Sequence, residues 1–205
     1  MKRHHKYTRD ILTVGFAGFM AFNAMGNILH AETLVDQYFD LENGALVERS
    51  NEIWQHRSGS EGDLLISDGI LVVSSSASED ASIMLGGAVF DGSSSETLYV
   101  SFTLNVADLP TAGGGYFAHF RGGSSATFRG RLFIAASEDG GYQLGIGNGA
   151  SKFADSTIAN DSLEIAKEYR IVMSYEPATA ITKLGIDPNL ESDLSVVATD
   201  SVSVK

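Results

Sequence analysis

The chain has 205 residues, 43% of them hydrophobic and 20% charged, with 22 Gly, 3 Pro and a formal net charge of −12. This is the balance of one folded domain with many tight turns, and it excludes a Pro-rich disordered or collagen-like chain. Zero Cys excludes a disulfide framework, a thiol nucleophile and a Cys-ligated zinc site, and the acidity, which repels phosphate backbones, argues against nucleic acid as a partner.

Residues 1–31 read as an export leader. Lys2, Arg3, Lys6 and Arg9 form a basic start, residues 11–25 an apolar run, and Leu29-His30-Ala31 or Ala24-Met25-Gly26 a small-residue cleavage site. The run is shorter than the about 20 residues a membrane span needs. The expectation is therefore cleavage, a mature N-terminus at Glu32 or Asn27, and no stable membrane insertion afterwards. No twin-Arg pair is present, so the route expected is that of an unfolded precursor. Cleavage after Ala31 leaves 10 basic and 25 acidic residues, a net charge of −15. An exported chain without disulfides must be held by its core, which points to a secreted or cell-surface protein of a bacterium.

From residue 34 onward the pattern is a series of short strands. Residues 34–39 and 44–47 read as an opening strand and turn, and 53–56 carries the single Trp, Trp54. Residues 64–66 and 70–73 are β-prone runs joined through Asp68-Gly69, a hairpin signature. Residues 74–82 are Ser-rich and read as a loop. Residues 83–90 return to apolar character, 91–96 read as a turn, and 98–106 alternate at period two. Further strands are expected at 116–121, 128–136, 142–147, 169–175 and 182–186, while 163–167 hints at a helical turn too short to stand alone. The densest stretch, 116–149, fits three alternating strands and two turns into 34 residues. The fold class is all-β and antiparallel.

Particular blocks carry a resemblance. The order Trp54-Gln55-His56-Arg57-Ser58-Gly59, Asp68-Gly69, Leu98-Tyr99-Val100-Ser101-Phe102, Leu109-Pro110, Tyr116-Phe117-Ala118-His119-Phe120, Phe128-Arg129-Gly130-Arg131-Leu132-Phe133-Ile134 and Leu144-Gly145-Ile146-Gly147-Asn148-Gly149 resembles exported domains of Verrucomicrobia-type bacteria. These belong to the concanavalin A-like, laminin-G-like jelly rolls. The resemblance spans residues 34–205 and implies a two-sheet antiparallel jelly-roll sandwich over 32–205, an extracytoplasmic location and no assigned reaction. Such relatives continue past the stretch matching residues 201–205 into two more strands, so the expectation is a truncated sequence that lacks the domain's last strands, the alternative being a sandwich left with unpaired edges.

The chemistry expected is recognition, not catalysis. The fold implied by the resemblance also hosts laminarinase-type glycoside hydrolases, whose Glu-x-Asp-x-x-Glu strand aims its carboxylates to one face. The nearest match here, residues 191–196, ends in Val196 and lacks the last acid. Glu138-Asp139 and Glu79-Asp80 fall in expected turns, where acids are solvated. Outside the leader only His56 and His119 remain, with neither a His-Glu-x-x-His pattern nor a Gly-x-Ser-x-Gly elbow. The glycines at 145, 147 and 149 precede no helix, so strand glycines and a turn account for them better than a nucleotide loop. Asp139, Asp155, Asp161 and Asp187 lie in expected loops without the spacing of a calcium loop. No cofactor is expected from a motif; calcium stays open because the laminin-G-like domains this chain resembles often bind it through loop carboxylates and carbonyls, and the metal is left unassigned.

Strand alternation supplies one candidate surface. Tyr116, Ala118 and Phe120 should share the core side with Phe128, Leu132 and Ile134, leaving His119, Arg121, Arg129, Arg131 and Gln143 on the other. A row of donors on an otherwise acidic domain suits a polysaccharide or cell-surface glycan, acidic ones above all. The competing account is an ordinary solvated sheet face, or a polar layer under loops. The function expected is an exported non-enzymatic recognition or surface-structure domain. Its alternative is an accessory carbohydrate-binding module of an enzyme whose catalytic part lies elsewhere.

Overall fold

The computed structural model describes residues 11–22, 31–85, 90, 93–122 and 128–199. The basic residues 2–9 and the residues 24–30 that frame the expected cleavage sites lie outside these, as do 86–89 of the expected apolar segment, 91–92 of the following turn and 201–205 at the end. In chain order the strands are β1 (Ile11–Phe22), β2 (Ala31–Val35), β3 (Gly44–Ala45), β4 (Trp54–Ser58), β5 (Leu65–Ser67), β6 (Ile70–Ser74), β7 (Asp80–Ile83), β8 (Thr97–Val106), β9 (Gly115–Arg121), β10 (Phe128–Ala136), β11 (Tyr142–Gly147), β12 (Thr157–Ile158), β13 (Glu168–Glu176), β14 (Ile181–Ile186) and β15 (Val196–Ala198). One helical turn, α1 (Leu46–Arg49), follows β3, and short 3₁₀ turns occupy Phe153–Asp155 and Glu191–Asp193. Among the described residues no helix is long and apolar enough to cross a membrane.

The strand pairings are antiparallel. The large sheet runs β15-β14-β13-β8-β1-β6-β5-β3 with β2 against β1; a four-stranded sheet runs β12-β11-β10-β9, and β4 pairs with β7. The backbone of the apolar run expected as leader thus forms β1, between β8 and β6.

Period-two sequence builds the layers. On β8, Leu98, Val100, Phe102, Leu104 and Val106 are each at most 4% exposed, and they meet Ile171 and Met173 of β13, Leu132 and Ile134 of β10, and Leu144 and Ile146 of β11 in one core. Two sheets facing each other across such a core make a β-sandwich. A second, smaller core gathers Phe39, Leu46, Trp54, Leu64, Ile66 and Leu71, with the Phe39 and Trp54 rings 6.2 Å apart. Between β5 and β6, Asp68 and Gly69 take φ of 52° and 78°, the paired positive values of the tight hairpin that Asp-Gly favours.

Four local expectations need correction. The Ser-rich stretch 74–82 is not all loop: β7 begins at Asp80 and pairs with β4 through Trp54↔Ile83, Gln55↔Ser82 and His56↔Ala81. Residues 163–167 form no helix; instead Leu163 exchanges backbone bonds of 2.7 and 3.0 Å with Tyr142. The opening strand ends at Val35, and residues 44–47 are a two-residue strand running into α1. Finally, Glu79 is not a solvated turn acid. Its side chain is 0% exposed and accepts bonds from the Gly62 and Leu64 amides at 3.0 and 2.9 Å, and His56 Nδ1 lies 3.1 Å away.

Candidate functional site

The candidate face lies on β9 and β10, and two irregularities in their register shape it. Phe128 pairs with Arg121 and Arg129 with Phe120, but the next partners are Leu132 and Ala118, so Gly130 and Arg131 together oppose His119. Phe133 then pairs with Tyr116, which leaves Phe117 as an extra residue on β9. Each extra residue turns the rest of its strand to the other face. Gly130 makes the first bulge feasible: its φ is +54°, and a Cβ there would meet Thr182 Cγ2 at 3.0 Å and the Phe120 ring at 3.1 Å.

The bulges undo the expected row of donors. Cross-strand partners share a face, and Phe120 belongs to the core, so Arg129 turns inward and is 5% exposed. Its Nη1 donates to the Phe128 carbonyl at 3.0 Å, its Nε is buried without a partner, and no ion pair reaches it among the described residues. Arg131 stays on the outer face, yet it is boxed in. Its guanidinium carbon sits 4.4 Å from the Phe128 ring centroid and 5.0 Å from that of Tyr116, and its Nη1 donates to the Ala150 carbonyl at 2.7 Å. Arg129 and Arg131 therefore do not lie side by side, because the bulge between them breaks the alternation.

The outer face gains aromatic residues in exchange. Tyr116 and Phe128, expected on the core side, join His119 there. The His119 ring meets Phe128 edge-on at 4.7 Å and Tyr116 at 5.8 Å, and Tyr116 packs against the fully buried Phe133 at 6.1 Å. Tyr116 is 39% exposed, His119 and Phe128 are half-buried, and Arg121 is exposed. The residues around Phe153 and Ser156 cover the neighbouring part of this face, because a Cβ at Gly145 would strike Ser156 Oγ at 2.2 Å. The uncovered part is thus a rim of three rings with a guanidinium beneath and Arg121 beside it. Gln143, on the same side of β11, spends its amide on the Ala159 carbonyl at 3.3 Å.

Burial holds the His119 imidazole below its ordinary value; the Phe120 carbonyl, which accepts from Nδ1 at 3.1 Å, pulls the other way without prevailing, and Arg131 and Arg121 add to the lowering. His119 is therefore neutral at pH 7 and presents an aromatic ring to the rim, not a cation. Asn148 fixes the corner behind it by accepting from the Gly130 amide at 2.9 Å and donating to the Ala180 carbonyl. Period-two alternation alone does not place Tyr116, Phe128 and Asn148 in this site. The one available signal was Gly130, a glycine inside a strand pattern, which marks a bulge.

The carboxylates are placed for structure. Asp193 accepts from the Asn189 and Leu190 amides at 2.8 and 2.9 Å, which hold it below the usual carboxylate range. Glu191 accepts from the Tyr99 hydroxyl. Asp139 binds Ser137, Ser162 and the Gly141 amide, Asp155 lies 3.8 Å from Lys152, and Asp187 accepts from the Arg170 amide at 2.7 Å. Among the described residues no three His, Cys, Asp or Glu side chains gather as a metal site. A shallow cleft of about 340 Å³ opens between Leu34, Asp36, Ile53, Gln55, Ile83 and Met84; among the described residues Asp36 is the only ionisable side chain lining it, too few for an acid–base pair.

Comparison with known proteins adds no family to this geometry: no protein-family model, curated protein or solved structure matches the chain.

Proposed function

We propose that the chain is an exported, non-enzymatic recognition or surface-structure domain of the jelly-roll type, and that the rim on β9 and β10 holds an extracellular glycan. The observation that carries the reading is the cluster of Tyr116, His119 and Phe128 over Arg131. Half-exposed aromatic rings offer rigid apolar area with polar edges, the combination enriched at binding surfaces. A sugar ring can lay its C–H face on them at little conformational cost. Exposed Arg121 supplies a planar donor pair for a carboxylate or sulfate at the edge, which favours acidic polysaccharides over neutral ones. Arg131 serves this site from below by holding Tyr116 and Phe128 in place, a cation–π arrangement of about 0.5–2 kcal/mol.

Export is the second part of the proposal. Its support is the basic start at Lys2, Arg3, Lys6 and Arg9 followed by the apolar residues 11–25, and mass spectrometry of the native protein should find Glu32 or Asn27 at its N-terminus. Intact Met1 would refute it.

The binding reading is tested by affinity electrophoresis of the purified protein through neutral, uronate-bearing and sulfated polysaccharides, with a reducing-end assay on the same samples. Retardation by an acidic glycan without chain cleavage is expected. Cleavage of any of them that a single carboxylate substitution abolishes would make the protein an enzyme and overturn the reading.

A further inference from the structure

The rim on β9 and β10 is small, and its limits bear on which part of a glycan fits it. The ring centroids of Tyr116, His119 and Phe128 stand 4.7, 5.8 and 6.5 Å apart, a triangle that one sugar ring covers and two linked ones overrun. Their planes are inclined to one another by 81°, 60° and 42°. No two of them therefore lie flat side by side, as a track under successive sugars would require. The Arg131 guanidinium already takes one face of Phe128 and one of Tyr116. What remains is stacking area for a single sugar, with Tyr116, the most exposed of the three rings, as its main surface.

The open face is also closed along one side. Residues 150–159 lie over the outer face of β11: the Ala150 carbonyl accepts from Arg131 Nη1 at 2.7 Å, the Ala159 carbonyl accepts from Gln143 Nε2 at 3.3 Å, Ile158 pairs with Gly145, and Ser156 leaves no room for a Cβ at Gly145. On the other side, β9 is the last strand of this sheet among the described residues. The uncovered face is thus two strands wide, with about 4.8 Å between the strand axes. A glycan that comes in over the β9 edge ends against residues 150–159, and one that runs along the strands leaves the rings after one sugar. Beside the rings, Arg121 is the cross-strand partner of Phe128. It is exposed and, among the described residues, engaged in no ion pair, although the chain carries 26 acidic residues.

We propose that the rim reads the terminal acidic sugar of a glycan chain, and not the repeating units within it. The inference rests on the glycan reading above. The last sugar lies on Tyr116 between His119 and Phe128, and its carboxylate or sulfate meets the planar donor pair of Arg121. Its linkage leads out over the free edge of β9, because residues 150–159 close the opposite direction.

The test is calorimetry of the purified protein with two series of glycans, oligogalacturonates for the carboxylate and sulfated galactan fragments for the sulfate, each as tetrasaccharide, decasaccharide and parent polymer. The series that binds should take one protein per glycan chain at every length, with tetrasaccharide and decasaccharide affinities within about twofold, since both offer the same single end to the rim. Arg121→Gln should keep that stoichiometry and bind at least tenfold more weakly, and Arg121→Lys should recover part of the loss, because the charge returns without the planar fork. A polymer that takes many proteins per chain, or a tetrasaccharide that binds more than tenfold more weakly than the decasaccharide, would overturn the chain-end proposal while leaving the rim a glycan site. Unchanged affinity in Arg121→Gln would overturn it as well, by removing the acid contact. Absence of binding to every oligomer and both polymers would sink it together with the glycan reading.

Discussion

Glu79 and Arg129 are both charged side chains buried in this protein, and their surroundings could hardly differ more. Glu79 sits between the small β4–β7 sheet and the loop before β5, and its carboxylate has two amide donors and a histidine within 3.1 Å. Arg129 sits on the bulged corner of the four-stranded sheet, where among the described residues its bond is to the neighbouring carbonyl of Phe128 and its Nε has none. A buried charge whose partners arrive through local chain geometry is architecture. One delivered to the interior by a register shift is a by-product of whatever required the shift. Here that shift turned Phe128 outward onto the rim, where the second bulge, at Phe117, places Tyr116, so the corner spends stability to build a surface.

The sharpest break of this comparison is Glu79→Ala. It strands the Gly62 and Leu64 amides and frees the loop from β4, and a loss of about 3 kcal/mol is expected in urea unfolding; a loss below about 1 kcal/mol would mean that water replaces the carboxylate. Gly130→Ala comes next. Its Cβ would face Thr182 and Phe120 at a φ of +54°, and about 2 kcal/mol should be lost by the same measurement. Arg129→Met should go the other way, leaving stability unchanged or raising it by about 1 kcal/mol, because a buried charge with no ion pair among the described residues is exchanged for apolar volume. A large loss would show that Arg129 has a partner that matters.

The smallest effect concerns pH. The folded-state value of His119 lies below its unfolded one, so between the two the unfolded chain binds more protons and stability falls as pH drops below about 6.5. Unfolding followed from pH 7 to 5.5 should show a shallower decline in His119→Gln than in the wild type. Equal slopes would remove His119 as the cause.

Much of the scaffold was legible because alternation is a local property. Strands 128–136 and 142–147 have the bounds that hydrophobic period two assigns them, and Asp68-Gly69 announced its hairpin. The rim was not legible in the same way. Period-two reading assumes an unbroken ladder, and whether Arg131 or Phe117 is an extra residue is decided by the strand across from it. A Ser-rich sequence hid β7, since its pairing with β4 needs backbone groups more than apolar side chains. Residues 11–22 show the converse limit, because an apolar run satisfies the requirements of a leader and of a central strand equally well.

The central claim is that the bulged rim, and not the buried arginine behind it, holds the ligand. Titration calorimetry of the polysaccharide that retards wild type, repeated with Tyr116→Ala, Phe128→Ala and Arg129→Met, tests it most directly. The account predicts at least tenfold weaker binding for the two aromatic variants, in line with the loss of about 2 kcal/mol or more on truncating an aromatic binding hot spot, and unchanged affinity for Arg129→Met. Binding that survives both aromatic substitutions, or is lost in Arg129→Met alone, would contradict it.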